Sequence, residues 1–389
     1  MHPDKSIPFR GGIARILART DLDKHAAWPQ AFTGKTKDHR FYEIVADTLG
    51  SNFEHHYLAL EDATGRVRGI QPVFFVRQNL IEGIPALHAA VEKIRRRFPR
   101  FLTMRILMIG NAAGEGHLAA CAPEDEAWFA GALHEVLGPF ARQARASLIV
   151  FKDFPATYRP VLRDLARTNF TRVPSMPMTE LSLDYADFDH YLTTLGASTR
   201  KDLRRKFRKI GEAAPIDVAV VTDLAPFVDE VYPLYIQVHE RSAMKFERLT
   251  KEYLSTLGQR MPDRARFFIW RQSGKAIAFS IALVHDGTIY DDYLGLDYAV
   301  ALDLHLYFST FRDILSWSLA QGLKRYRSSP LNYQPKLHLG CALFPLDLYV
   351  RHTNPFLNKV FRPILKLLEP TRHDPILKHF RNADELHGN

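Results

Sequence analysis

Apolar positions along this chain recur with two periods, one of about 3.6 residues and one of two, which separate predicted helices from predicted strands. The stretch Arg40–Leu49 carries the helical period. Two β-rich runs follow, His56–Glu61 and Arg68–Phe75, joined by a turn at Thr64-Gly65. A third apolar run, Met104–Ile109, ends in the glycine loop Gly110–Gly116. Pro123-Glu-Asp-Glu126 opens another helix, with acids in the first turn where the helix dipole favours them. Ser147–Phe151 (SLIVF) reads as a strand, and Thr179–Leu183 closes this first pass.

The same plan begins again near Tyr185. A basic helix is predicted over Thr199–Ile210, a strand over Ile216–Val221 and a long helix from Leu224 to about Met244. Strands Arg266–Arg271, Ala276–Val284 and Ile289–Leu294 follow, with hairpin turns at Ser273-Gly274 and Asp286-Gly287. A helix over Asp303–Gln321 stops at Gly322, and Lys324–Ser328 leads through a loop holding Pro330 and Pro335 to a strand at Leu346–Arg351. The expectation is an α+β fold of two tandem domains, 1–185 and 186–389, each a mixed sheet flanked by helices, with an amphipathic tail over 354–389. The length of 389 residues agrees, at roughly one domain per 150 residues.

Composition narrows the partners. Fifty-two Lys+Arg against 43 Asp+Glu give a formal charge of +9, which favours an anionic partner such as a phosphorylated co-substrate, nucleic acid or an anionic membrane. No run of about 18 apolar residues predicts a spanning helix, and the N-terminus lacks a signal-peptide core. Cys121 and Cys341, far apart and without an activating neighbour, suit a reducing cytoplasm and buried thiols. The histidines, His55-His56 included, show no metal-ligand spacing, so no metal is expected, and no nucleophile elbow or Walker loop occurs.

Charge concentrates in one helix. Seven of the ten positions Arg200–Lys209 are basic, while Leu203, Phe207 and Ile210 form a thin apolar stripe, and Thr199 with Asp202 suggests a capping box. Like charges so close repel, so Arg200, Lys201, Arg204 and Arg205 are read as binding phosphate, against the plainer reading of a solvated face. Asn111-Ala-Ala-Gly114-Glu-Gly116 follows a strand, where backbone N–H groups could cradle a phosphate, but Glu115 would repel one and Pro123 starts the helix late. A structural glycine turn is the stronger reading there. Asp291 and Asp292 share a strand, where alternation sends one carboxylate to each face without saying which meets a cleft.

The order strand–strand–strand–helix–strand, met twice, resembles the Fem-like and BioF2-like double-GNAT acyltransferases. Ser198–Lys209 is similar to the basic helix that opens their catalytic half. Gly322-Leu-Lys-Arg-Tyr326, then Tyr333-Gln-Pro-Lys336 and Leu339-Gly340, resembles their ending. Arg327-Ser-Ser stands where the family usually carries Asp-Phe-Gly. The resemblance implies N-acyl transfer from an acyl thioester to an amine, with no permanently bound cofactor and acyl-CoA as co-substrate. It implies a base at Asp292 or Asp291, with His305 either an alternative base or a core histidine. It also gives Tyr333 a role in protonating the leaving thiolate and Lys336 one in holding a phosphate or carboxylate. Asn111, Gly114 and Gly116 fall on a near match to the family's pyrophosphate loop.

Two segments suggest a membrane. Residues 354–369 gather Phe356, Leu357, Val360, Phe361, Ile364, Leu365 and Leu368 on one stripe, with Lys359, Arg362 and Lys366 away from it and a kink expected at Pro363. Ile81–Leu102 mixes apolar and basic residues similarly, and Ile376–Arg381 continues the mixture. The favoured expectation is a cytoplasmic enzyme, peripheral on an anionic membrane, moving a long acyl chain to a lipid-like amine, as bacterial ceramide synthases N-acylate a sphingoid base. The alternatives are a Fem-like transferase using aminoacyl-tRNA on a peptidoglycan precursor or small amine, and a non-catalytic module docking nucleic acid or lipid.

Overall fold

The computed structural model describes residues 6–79, 91–98, 103–242 and 245–388. The first half supplies β1 (Ser6–Phe9), β2 (Gly12–Leu17), helix α1 (His39–Thr48), β3 (Glu54–Asp62), β4 (Val67–Asn79), β5 (Thr103–Ile109), α2 (Glu126–Gln143), β6 (Leu148–Pro155) and β7 (Thr171–Ser182). The second supplies α3 (Ala197–Gly211), β8 (Ile216–Val221), α4 (Val228–Arg241), α5 (Lys251–Arg260), β9 (Ala265–Gln272), β10 (Lys275–His285) and β11 (Thr288–Leu296). It ends with α6 (Leu306–Ala320), β12 (Arg325–Ser328), α7 (Tyr333–His338), β13 (Ala342–His352) and α8 (Pro355–Leu367). The expected plan is present in both halves.

The thirteen strands among the described residues form one sheet, ordered β1-β2-β3-β4-β5-β6-β13-β7-β12-β11-β10-β9-β8. Its centre is a strand exchange. The last strand, β13, lies antiparallel to β6 of the first half, and β7 lies antiparallel to both β13 and β12. The strand expected to end the second pass thus completes the sheet of the first. These inner strands are apolar on both faces, as a covered sheet requires. On β6, Ile149 and Phe151 enter one core with Tyr349, while Leu148 and Val150 enter the other with Val350.

The parallel pairs among the described residues are β5 with β6 and β11 with β12. Each ends in a fork. The β5/β6 register closes at Ile109 opposite Phe151, and the β11/β12 register closes at Asp291 opposite Ser328. Followed through β13 and β7, the registers show β5 leaving its fork in the opposite sense to β11, so the two forks open toward each other.

Several local expectations change. Helix α3 starts at Ala197 with Gly196 as N-cap, and Asp202 accepts from Arg205 (2.6 Å) and pairs with Lys206, so no capping box forms at Thr199. The stretch holding Pro335 is helical because Pro335 falls in the first turn of α7, where a missing N–H costs nothing. Asn354 caps α8 as expected, its Oδ1 accepting from Phe356 N and Leu357 N, and the helix continues through Pro363. Of the segment 81–102, residues 81–90 and 99–102 lie outside the described residues. Among the described residues no helix is long and apolar enough to cross a membrane.

Candidate active site

The site grows from the fork at β11. Ser329 N donates to Asp291 O (3.1 Å), closing the β11/β12 pairing, and the two following strands part. Asp291 and Asp292 therefore straddle the fork on opposite faces of the sheet.

Asp291 points toward α6. Its carboxylate accepts from Tyr326 OH (2.7 Å) and from Ser280 Oγ. Burial raises its pKa, opposed by those two hydrogen bonds and by the Lys336 charge. Lys336 is buried beside it and beside Cys341, with Nζ donating to Ser329 O. Burial lowers the Lys336 amine to about 8 and raises the Cys341 thiol to about 12. Lys336 therefore braces the fork from inside, and no open anion site surrounds it. Tyr333, also assigned by resemblance, is 1% exposed and gives its hydroxyl proton to Pro177 O (2.8 Å), in a core with Phe380 and Leu377. A hydroxyl so committed holds structure.

Asp292 points the other way, into the seam between the halves. Its Oδ2 lies 3.1 Å from Lys37 Nζ, and the same ammonium sits 2.7 Å from Glu115 Oε2. The three charges come from three places: the loop before α1, the glycine loop after β5, and β11. Arg264 pins the first of these from the second half, donating to Thr36 O (2.6 Å) and pairing with Asp38 (3.2 Å). Arg40 and Asp263 (2.8 Å) add a second tie. All three side chains of the triad are largely buried. Burial works against the Lys37 charge, but the Asp292 and Glu115 carboxylates outweigh it and raise its pKa. Burial likewise opposes the Glu115 charge, yet Lys37 prevails and lowers it. For Asp292 burial wins over Lys37 and pushes the carboxyl up to about 6. Two carboxylates share one ammonium, and the less favoured is the one beside the fork. A carboxylate poised near neutrality at a strand fork suits a general base.

The glycine loop serves this triad. Asn111 Oδ1 accepts from Ala113 N (2.8 Å), and Gly116 N donates to Asp153 O (3.0 Å), so these groups hold the turn itself. A Cβ on Gly114 would stand 2.7 Å from Lys37 Nζ, and one on Gly116 would stand 2.5 Å from Lys152 O. Both glycines make room for neighbours, which is the structural reading of the loop. Glu115, which counted against phosphate binding, is the residue by which the loop joins the triad. Lys37, one of two lysines in TGKTKD, carries no periodic or spacing signal in the sequence.

Beyond the triad, Tyr293 OH donates to Glu247 (2.8 Å), and Phe246 lies 5.1 Å beneath the Lys152 ammonium, which donates to Gly114 O (3.2 Å). Phe246 also lines a cavity of about 570 Å³ with Phe53, Phe75 and Val76, and most of the remaining lining is polar or charged, with Asn52, Glu54, Arg77, Gln78, Arg105 and Lys245. That cavity is of ligand size, and Phe246 connects it to the glycine loop by way of Lys152.

The basic helix and His305 lie on the Asp291 face. Lys201, Arg204 and Arg205 are exposed, and Arg200 donates to Thr193 O (2.9 Å). His305 occupies the left-handed N-cap of α6 (φ 44°), its pKa lowered by burial and by Lys206 and Lys209. It belongs to the basic cluster and not to the triad. Among the described residues no group of three or more His, Cys, Asp or Glu side chains is arranged to hold a metal.

Comparison with known proteins agrees with this geometry. Residues 197–334 match the family model described as an acetyltransferase (GNAT) domain. FemX superposes with a TM-score of 0.55 at 10% identity, covering 90% of this chain and 99% of its own. The C-terminal domain of a provisionally named lysylphosphatidylglycerol synthetase from Agrobacterium fabrum gives 0.52 at 12% identity, covering 91% and 96%. At such identities the likeness is one of fold. A Mycobacterium tuberculosis protein, provisionally named 8-amino-7-oxononanoate synthase 2, is 21% identical over 359 residues. The match takes in 89% of this chain but 46% of that protein, so the chain spans just under half the length of the curated relatives it matches. The domain match over the second fork identifies residues 197–334 as a GNAT acyltransferase domain. In fold, the whole chain is similar to FemX, which it matches over nearly that protein's full length.

Proposed function

We propose that the chain is an N-acyltransferase that moves an acyl group, long-chain for preference, from acyl-CoA to the amine of an amphiphilic acceptor such as a sphingoid base. The observation that carries the mechanism is Asp292, a buried carboxylate with its pKa raised to about 6 at the fork of the GNAT domain. In this reading the thioester lies at the β11/β12 fork. The acceptor nitrogen forms a bond to the thioester carbonyl carbon, the carbon–sulfur bond breaks, and CoA leaves as thiolate. Asp292 takes the proton the amine sheds, while Lys37 fixes the carboxylate and Glu115 balances Lys37. No covalent enzyme intermediate is required. The cavity, with Phe53, Phe75, Val76 and Phe246 on one part of its wall and polar and charged side chains on the rest, supports an amphiphilic acceptor. The exposed cations Lys201, Arg204 and Arg205, with His305 beside Lys206, support a phosphate-bearing donor. The partners are then acyl-CoA, a lipid-like amine and the cytoplasmic face of the membrane that supplies it.

The same cations favour a second reading, an aminoacyl-tRNA donor acting on a peptidoglycan precursor or small amine. The test is product identification by mass spectrometry. Purified protein is given palmitoyl-CoA, acetyl-CoA or aminoacyl-tRNA, each with a panel of amines that includes long-chain bases. An N-palmitoyl amide is the expected product. Transfer from aminoacyl-tRNA alone would replace the proposal with the second reading, and no product from any donor would remove both.

A further inference from the structure

Helix α8 is mounted with its apolar side outward. The face turned to the body carries Asn358, 7% exposed, whose Oδ1 accepts from His352 N (2.8 Å) and whose Nδ2 donates to Asn169 O (2.8 Å). Arg362 donates to Thr168 O (3.0 Å) from the same side. Phe361 and Leu365 are partly covered by the apolar cluster that contains Phe53, Val76 and Phe246, walls of the cavity. The opposite face shows Phe356, 74% exposed, and Leu367, 71% exposed, with Leu357, Val360, Ile364 and Leu368 between and beside them. Five exposed large apolar side chains on a 13-residue helix, with Leu368 at its C-cap, form a continuous patch, and such a patch marks a surface made to be covered.

Charge says by what. Lys359, Arg362 and Lys366 follow one another along one flank at three- and four-residue spacing, between the inner face and the apolar patch. On that flank a pocket of about 460 Å³ is lined by Arg167, Arg172, Arg362 and Lys366 with Phe170 and Pro363. Arg172 is engaged by the carbonyls of Gly388 (2.7 Å) and His387 (3.1 Å), and Arg167 has only the exposed Asp164 at 4.0 Å. An apolar stripe bordered by a row of cations and a cationic pocket complements the interface of an anionic bilayer.

We propose that α8 lies flat on an anionic phospholipid membrane, its outward side chains among the acyl chains, and that the pocket at Arg167, Arg362 and Lys366 takes a phosphate headgroup. The topology adds a consequence. The start of β5, the end of β4 and the end of β13 share one edge of the sheet, so the cavity rim at Arg105 and the tail helix stand at the same end of the molecule. Docking by α8 brings the cavity to the bilayer, from which a lipid amine enters without crossing water. This deepens the proposed function and, as to the acceptor, rests on it.

Deleting the tail is a poor test, because Leu377, Phe380 and Leu386 pack on Tyr333. Flotation of the full chain and two variants on vesicles tests the proposal, using phosphatidylcholine alone or with phosphatidylglycerol. The chain floats with the phosphatidylglycerol vesicles and sheds them at high salt. F356S/I364S/L367S changes only exposed positions and abolishes flotation. R167E/K366E weakens it by about tenfold or more. Equal flotation of F356S/I364S/L367S and the unaltered chain overturns the proposal. So does a stable dimer in light scattering that this variant dissolves, since a second copy would then cover the face. Transfer to a detergent-dispersed amine separates the two claims. Variants that keep it but lose transfer on vesicles support docking, whereas flotation without transfer to any amine leaves docking standing and removes the proposed acceptor.

Discussion

Asp291 and Asp292 are neighbours in sequence with unlike surroundings. Asp291 is held by Tyr326 and Ser280 and closes the strand pairing; Asp292 shares the ammonium of Lys37 with Glu115. The alternation of a strand made it certain that they would differ, but the partners lie some 180 and 250 residues upstream and leave no mark in the local pattern. A base must be ionised to act, and burial has pushed the Asp292 carboxyl up to about 6. The pH profile of kcat/KM is therefore expected to fall on the acid side of about pH 6, in proportion to loss of the carboxylate. Lys37→Met removes the charge that stabilises that carboxylate, so the acid limb moves to higher pH. It also strands two buried carboxylates, at a cost of about 3–5 kcal/mol. An acid limb unmoved by this change would separate Asp292 from the rate.

At the scale of elements, what was legible was what obeys a period. The meander β9–β11 and the helix α6 stand where alternation and three-four spacing put them. Helix α7 was hidden by Pro335, which reads as a breaker unless its place in the first turn is known. The glycine loop shows how a motif misleads. Gly114 and Gly116 sit at phosphate-loop spacing, yet each is small because another group passes close to it. Gly116→Ala would press a methyl group against Lys152 O and the Phe154 ring, at 2.5 and 2.6 Å. The expected loss is about 1–3 kcal/mol in chemical denaturation, with no change in affinity for CoA. Weakened CoA binding at unchanged stability would return this loop to the phosphate reading.

For the whole molecule, the exchange of β7 and β13 matters most. Periodicity shows that both are buried strands, but not that β13 sits beside β6 at a separation of nearly 200 residues. Because each half lends the other a central strand, neither is expected to fold alone. Residues 1–185 and 186–389 expressed separately should be insoluble or unfolded, and the full chain should melt in one transition. Two resolved transitions would show halves more independent than the sheet implies. The same exchange explains how Lys37 and Glu115 of the first half reach a fork in the second: the candidate site lies in the seam between the halves.

Thiol release from palmitoyl-CoA, followed with a chromogenic disulfide in the presence and absence of a long-chain amine, tests the central claim most directly. The comparison is between the unaltered chain and Asp292→Asn, with melting curves for both. Acceptor-dependent release by the former, lost by about 100-fold or more in the latter at unchanged melting temperature, is the predicted result. Equal release by the two proteins would contradict the assignment of Asp292 as base.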